Sequence, residues 1–293
     1  MITERTVFDN NEELEKIEEE PKYKPDPEWE KLKQEWYSHV CVKYEIIKNL
    51  MHRETAVIHV VNSKKTLRCL KINAVRYLEM NDSRYKLFEE PYNIYASLSK
   101  FPNLPVFSFS TYVKRQQQQQ FNKEYKDYIT EFDYLMDIDN EDISKARETC
   151  LEVKKIFDKF KVPYSVMFTG KKGFHIRVSY EDFPDWLKQK SWDEMSTILK
   201  TFSENIRLLN NLPDIDLAVY DLRRIAKIPY SVVYPYYFIA LPLSDDQLEN
   251  FTLEMVSLPV WMKKAETVKN RGMLKRKGKK EAFGNLLNKY LEL

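Results

Sequence analysis

The apolar residues of this chain change period several times, and each change marks an element. From Glu28 to about Arg53 the residues Trp29, Leu32, Trp36, Val40, Tyr44, Ile47 and Leu50 recur at helical spacing, which predicts one long helix. Segments 56–61 and 66–72 predict a strand pair around Asn62-Ser63-Lys64-Lys65. Residues 73–80 read as a short helix, and 93–98 and 106–112 as strands. The run Gln116 to Gln120 is of low complexity and is assigned to an exposed loop or helix edge. Beyond residue 128 the pattern is more regular. It predicts a strand over 130–139, a helix over 143–160, strands over 164–168 and 173–178, and a helix over 192–209. Strand-like segments follow at 216–220, 224–228 and 237–241. Strands interleaved with helices and hairpins predict an α/β or α+β sheet layered with helices, and there is no internal repeat.

Composition bounds this picture without deciding it. The 293 residues are 43% hydrophobic, enough for one large domain or two small ones. Net charge is only +2, but its distribution is uneven. Glu12, Glu13, Glu15, Glu18, Glu19 and Glu20 make residues 1–27 an acidic, flexible lead-in that ends in Lys-Pro-Asp-Pro. At the other end Lys263, Lys264, Lys269, Arg271, Lys275, Arg276, Lys277, Lys279 and Lys280 face only Glu266. Such a tail is either a solvated, partly helical end or a track for template phosphates, and nucleic-acid or partner binding is the reading carried forward.

Cys41, Cys69 and Cys150 have no paired spacing and no nearby histidine, so no zinc module is recognisable and none is expected. A disulfide framework is not expected either, which suits a reducing interior. With no signal-peptide pattern and no apolar run of membrane-span length, the expectation is a soluble intracellular protein without a membrane partner. His39, His52 and His59 lack partners at ligand spacing and read as structural, as do Trp29 and Trp36.

Three segments carry candidate chemistry. Phe132-Asp133-Tyr134-Leu135-Met136-Asp137-Ile138-Asp139 is a buried-strand pattern with Asp137 and Asp139 on one face. Two carboxylates so close repel each other, and a hard divalent cation such as Mg²⁺ or Mn²⁺ removes that penalty. The plainer alternative is a strand end whose acids are solvated or cap the following helix. Asp133 shares the face but lies nearer the strand start, as a supporting or solvated group.

In Thr169-Gly170-Lys171-Lys172-Gly173-Phe174-His175, two of the chain's 5 glycines bracket two lysines in a tight turn. Turn amides and ammonium groups there suit a polyphosphate, although a lysine-tipped hairpin is the bland equivalent. The third segment runs from Asp214 through Asp216, Arg223, Arg224 and Lys227 to Pro229-Tyr230-Ser231. It offers another metal carboxylate before a basic strand, or simply a salt-bridged strand.

In this order the three segments resemble the motifs of the archaeo-eukaryotic primase superfamily, which includes the small catalytic subunit of DNA primase and the polymerase domain of bacterial ligase D. Asp137 and Asp139 match its Asp-x-Asp motif. Gly170, Gly173 and His175 match Ser-Gly-x-x-Gly-x-His, with Thr169 in place of Ser. Asp216 matches the third metal aspartate, with Asp214 and Asp221 as lesser candidates. The resemblance covers the order of elements from about residue 56 onward.

It implies an α+β primase-type catalytic fold, with an RRM-like sheet core packed against an N-terminal α/β module. It also implies a nucleotidyltransferase that makes short RNA or DNA primers on single-stranded DNA from nucleoside triphosphates. Asp137, Asp139 and Asp216 would hold two Mg²⁺ or Mn²⁺ ions. Thr169, Gly170, Lys171, Lys172, Gly173, His175, Lys227 and Ser231 would hold the nucleotide. Arg223, Arg224, Lys275, Arg276 and Lys277 are the expected nucleic-acid contacts, and a large primase subunit or other replication protein is an implied partner.

The expected organisation is a lead-in over 1–27, a catalytic domain over 28–262 and a basic tail over 263–293. The catalytic domain divides into a module at 28–128 and a metal and nucleotide core at 129–262. The implied setting is the cytoplasm of a prokaryote or of a viral or plasmid host. A gap-filling repair polymerase and a noncatalytic nucleic-acid-binding subunit are the alternatives. Val233 departs from the family pattern, which often carries a basic residue or His there, and the zinc-binding insertion of many relatives is missing.

Overall fold

A computed structural model describes residues 26–61, 64–71, 92–102, 124–233, 235–270, 273–279 and 281–292, with backbone alone at 55–61, 64–71, 92 and 270. The expected lead-in before residue 26, helix over 73–80, strand over 106–112 and glutamine run lie outside the described residues.

The single long helix expected over 28–53 is two. Helix α1 (Pro27–Ser38) starts where Asp26 Oδ1 accepts the Glu28 N–H at 2.8 Å, with Pro27 in the first turn. Helix α2 (Val40–Leu50) starts afresh after His39, whose backbone is extended at φ −66° and ψ 128°. The His39 Nδ1 accepts the Cys41 N–H at 3.3 Å, so an imidazole does the work usually left to Ser or Asp. Trp36 is fully buried, and its indole N–H reaches Tyr230 O at 2.9 Å, which docks α1 onto a segment 194 positions later.

Two sheets follow. Strands β1 (Glu54–Val61) and β2 (Lys64–Lys71) pair antiparallel from Glu54↔Lys71 to Val61↔Lys64. Strand β3 (Tyr92–Ser97) lies on the other side of β1. The short β4 (Ser99–Lys100) pairs with β5 (Glu131–Phe132). The second sheet is built from β6 (Tyr134–Asp139), β7 (Ser165–Phe168), β8 (Gly173–Val178), β9 (Ile215–Asp216) and β13 (Leu241–Leu243). Its order is β13-β7-β8-β6-β9, every neighbour antiparallel. Strand β10 (Ile225–Lys227) does not join it. It pairs with β3, Ile225 opposite Ser97 and Lys227 opposite Tyr95, so late sequence completes the first sheet. A short hairpin, β11 (Val232–Val233) with β12 (Phe238–Ile239), follows.

Alternation along β6 sorts its residues: Tyr134, Met136 and Ile138 are buried, whereas Asp137 and Asp139 are only partly so. Helices α3 (Ile143–Phe160), with Asp142 capping Ser144, and α5 (Trp192–Leu209), opened by the Ser191–Glu194 capping box, supply much of the core. Between them runs the one-turn α4 (Asp185–Lys188), and α6 (Asp245–Glu249) and α7 (Leu258–Met262) are similarly short. The Tyr134 ring packs against Phe202 and Tyr220, and its hydroxyl meets Ser203 Oγ at 2.7 Å.

The segment expected as a basic tail ends inside the core. Helix α8 (Ala282–Leu291) buries Phe283, Leu286 and Leu287, with Phe283 5.5 Å from Tyr134. Its apolar residues outweigh the charges that precede it, because burial of several large side chains contributes more than solvating the lysines. Two of the tail's expected nucleic-acid contacts are engaged internally. Lys275 Nζ lies 2.6 Å from Glu181 and 2.7 Å from Asp182. Arg276 donates to Asp245 at 2.7 Å and stacks over Tyr164 at 4.7 Å. Lys277 stays exposed.

Candidate active site

Antiparallel register places partner residues side by side on the same face of a sheet. Here Asp216, Asp137, His175 and Met167 form one row across β9, β6, β8 and β7. Two rungs on, and so on the same face, Asp139 lies opposite Gly173. Asp137, Asp139, Asp216 and His175, far apart in the chain, therefore share one patch of one sheet face.

The glycines make room for them. A Cβ at Gly173 would lie 2.0 Å from Asp139 Oδ1 and 2.2 Å from Ile138 O, so only a bare backbone lets that carboxylate sit there. Gly170 has φ +91°, and a Cβ on it would meet Val233 Cγ2 at 2.1 Å. Thr169 closes the turn: its N–H and its hydroxyl both donate to Gly173 O, at 3.0 and 3.1 Å. Replacing Gly173 with Ala is expected to displace the Asp139 carboxylate and to lower stability by about 1–3 kcal/mol, the cost of overpacking a tight contact. An unchanged urea midpoint in Gly173→Ala would show that the strand pair yields to the extra methyl.

The acids differ in their electrostatics. Burial pushes the Asp137 carboxyl up, but His175, Arg224 and Lys227 outweigh it and hold it below the usual range. Asp139 is raised, by burial first and then by the Asp137 charge, with Lys172, His175 and Lys227 opposing. His175 Nε2 stands 3.3 Å from Asp137 Oδ1 without the alignment of a hydrogen bond, so that buried oxygen has no hydrogen-bond partner. An orphaned carboxylate oxygen beside a second carboxylate is the donor set that a hard cation takes.

Asp216 is less ready. Its Oδ1 accepts the Ala218 N–H at 2.8 Å, leaving its other oxygen to be shared. Among the described residues no group of three or more acidic, imidazole or thiol side chains is placed to hold a metal ion.

Opposite this face stands the first sheet, and the space between is a cleft of about 200 Å³. Asp137, Asp139, Thr169, Lys171, Lys172 and His175 line one side; Tyr95, Arg224 and Lys227 line the other. Lys172 Nζ is 3.1 Å from Glu141 and 4.0 Å from Asp139. Lys227 lies deep in the cleft, 5.7 Å from the centre of the Tyr95 ring. Burial brings its ammonium down to about 8, against the pull of Asp139 and Asp137.

This fixes a sign. Between about 8 and the ordinary 10.5 the unfolded chain holds a proton on Lys227 that the folded chain has released. Wild type should therefore gain stability relative to Lys227→Met as pH rises through that window in EDTA. Parallel stability curves for the two proteins would refute the depressed ammonium.

Two expected site residues serve other ends. Ser231 is fully buried and its hydroxyl accepts the Ile94 N–H at 2.7 Å. Arg223 pairs with Glu54 at 2.7 Å and stacks over Tyr125 at 5.6 Å, while Arg224 faces the cleft. Tyr95 was not among the expected site residues, and its pairing with Lys227 across β3 and β10 is invisible in a linear pattern.

A buried ion network lies further along the same strands. Asp133 Oδ2 meets Arg53 Nη2 at 2.5 Å and Arg177 Nη2, while its Oδ1 accepts the Tyr180 N–H at 2.9 Å. Arg53 also donates to Ser97 O and Leu98 O, at 2.7 and 2.8 Å.

No known protein-family profile matches the chain. An uncharacterized protein of Methanocaldococcus jannaschii is 32% identical over 113 residues, covering 35% of this chain; the chain spans about a quarter of that protein's length, 25%. The polymerase domain of Mycobacterium tuberculosis ligase D, solved in complex with DNA, superposes with a TM-score of 0.50 at 12% identity, covering 82% of this chain and 92% of that one. The primase-polymerase domain of cyanophage S-2L superposes with a TM-score of 0.37 at 10% identity, covering 76% and 92%.

Proposed function

We propose, from the α+β primase-type fold that this chain shares with the ligase D polymerase domain, that it is a template-directed nucleotidyltransferase. Its reaction would be primer synthesis on single-stranded DNA from nucleoside triphosphates. The observation that carries the reading is the pair Asp137 and Asp139, one oxygen buried without a hydrogen-bond partner, with Lys171 and Lys172 on the same wall of the cleft and Lys227 on the opposite one.

Asp137 and Asp139, joined by Asp216 through its second oxygen, would hold Mg²⁺ or Mn²⁺. Such ions, when bound, neutralise the triphosphate and activate the attacking 3′-hydroxyl. The chain's own contribution is placement and charge. Lys171 and Lys172 at the hairpin tip, with Lys227 from the opposite sheet, would clamp the phosphates from two sides. Gly170 and Gly173 let the backbone approach closely, and Thr169 holds the turn shut. His175, 3.3 Å away, favours the ionised form of Asp137. No protein nucleophile is required, because positioning and electrostatic stabilisation supply the acceleration.

Labelled ribonucleoside and deoxynucleoside triphosphates, offered with Mg²⁺ or Mn²⁺ on primed and unprimed single-stranded templates, test this. Oligonucleotide products that vanish in Asp137→Ala are expected. Extension of a primed gap alone would assign a repair polymerase. DNA binding without metal dependence or incorporation would assign a noncatalytic subunit and end the enzymatic reading.

A further inference from the structure

Beside the cleft stands an aromatic surface that phosphate binding leaves unused. The β11–β12 hairpin pairs Val232 with Ile239 and Val233 with Phe238. Near its tip the Tyr236 ring stacks on Phe238, centroids 6.1 Å apart and planes 8° from parallel. Tyr236 is 43% exposed, whereas Phe238 is half-buried against the core and anchors the stack.

The neighbouring residue is anchored. Tyr237 has φ 53° and turns inward, its ring 5.1 Å from Trp29 and its hydroxyl donating to Glu30 Oε1 at 2.7 Å. Tyr236 is thereby left outside on a braced turn. The hairpin also touches the lysine-tipped turn, because Gly170 and Val233 are packed too tightly for a Cβ. Lys171 Nζ stands 5.7 Å from the centre of the Tyr236 ring and lines the cleft as well. A flat ring next to an ammonium group is the arrangement that takes a single strand: the charge meets a phosphate and the ring meets a base.

We propose that Tyr236, backed by Phe238, stacks a nucleobase of a single-stranded nucleic acid whose phosphates approach Lys171. This rests on the nucleotidyltransferase reading and extends it to the strand that the cleft serves.

The test is fluorescence anisotropy of the full chain with a labelled oligothymidylate in EDTA, without triphosphate. Tyr236→Ala should weaken binding roughly 5- to 150-fold, the range that stacking one base on an aromatic ring supplies. Tyr236→Phe keeps the ring and should bind within about twofold of wild type. The dependence of log affinity on log salt should stay unchanged in Tyr236→Ala, and Lys171→Gln should flatten it by about 0.7, the loss of one single-strand phosphate contact.

Unaltered binding in Tyr236→Ala, failure of Phe to substitute, or no oligonucleotide binding by wild type would each overturn the proposal. Incorporation assays run alongside keep the two ideas separate. Normal synthesis with ring-independent binding removes the platform alone. Ring-dependent binding without any synthesis removes the enzymatic reading alone.

Discussion

Asp139→Asn is expected to abolish nucleotide incorporation and, in EDTA, to raise the melting temperature. The loss follows from the proposed role: one of two adjacent carboxylates that would hold a divalent cation becomes a neutral amide, and effects of at least ~1,000-fold accompany removal of a residue that acts as part of a unit. The gain follows from the metal-free electrostatics. Asp139 is raised by burial and by the Asp137 charge, so its ionisation costs the folded state more than the unfolded one.

The sign is set by linkage. A carboxyl with a raised folded value lends stability below its unfolded value, and that stability is lost as pH rises through the folded one. Wild type therefore carries a penalty once Asp139 is ionised, and Asn removes it. Asp139 is about one-third exposed, so solvent screening reduces the effect to a fraction of a kcal/mol, roughly 1–2 °C for a chain of this size. Below the ordinary carboxylate range the two proteins should melt alike. A lower melting temperature for Asp139→Asn in EDTA at pH 7 would mean that Lys172 or Lys227 already compensates the charge.

Asp133→Ala should be the most destabilising single change at a charged residue near the site, by about 3–5 kcal/mol. The wild-type carboxylate sits between Arg53 and Arg177, both largely buried, and accepts a backbone N–H as well. Burial alone would push Asp133 up, yet the Arg177 and Arg53 guanidiniums hold it well below the usual carboxylate range. Burial brings Arg53 down to about 10 even with that partner. Removing the carboxylate leaves two cations facing each other with no counter-charge.

Urea unfolding measures the effect as a fall in midpoint at constant slope. A change under about 1 kcal/mol, the worth of an exposed pair, would show that water reaches the site. Acid should mimic the mutation. Because the folded value is depressed, the contribution of Asp133 is complete above the ordinary carboxylate range and drains away as pH falls below it.

How much of this was readable from the chain depends on how local each signal is. Period two along β6 put Asp137 and Asp139 on one face, and two of five glycines within four residues marked the turn beside them. Helices α3 and α5 begin and end where their apolar spacing does, because Asp142 and the Ser191–Glu194 box are ordinary start signals.

Non-local contacts were opaque. Asp133 read as a supporting or solvated group because Arg177 and Arg53 lie 44 and 80 positions away. Ser231 matched a motif, yet its hydroxyl is spent on Ile94, 137 positions back. The break at His39 has no mark in the pattern, because the apolar spacing continues across it and imidazole is an uncommon cap. In the last thirty residues the lysines drew attention away from Phe283, Leu286 and Leu287.

The membership of β10 in the first sheet bears on how the protein is assembled. A ribosome that has released residues up to 128 has made β1, β2 and β3 but left β3 with an open edge. That edge stays unsatisfied until residue 227 emerges. Closing a loop of that span makes folding slow compared with a chain of local contacts. Fragments divided near residue 128 should consequently aggregate when made separately and regain solubility only when produced together.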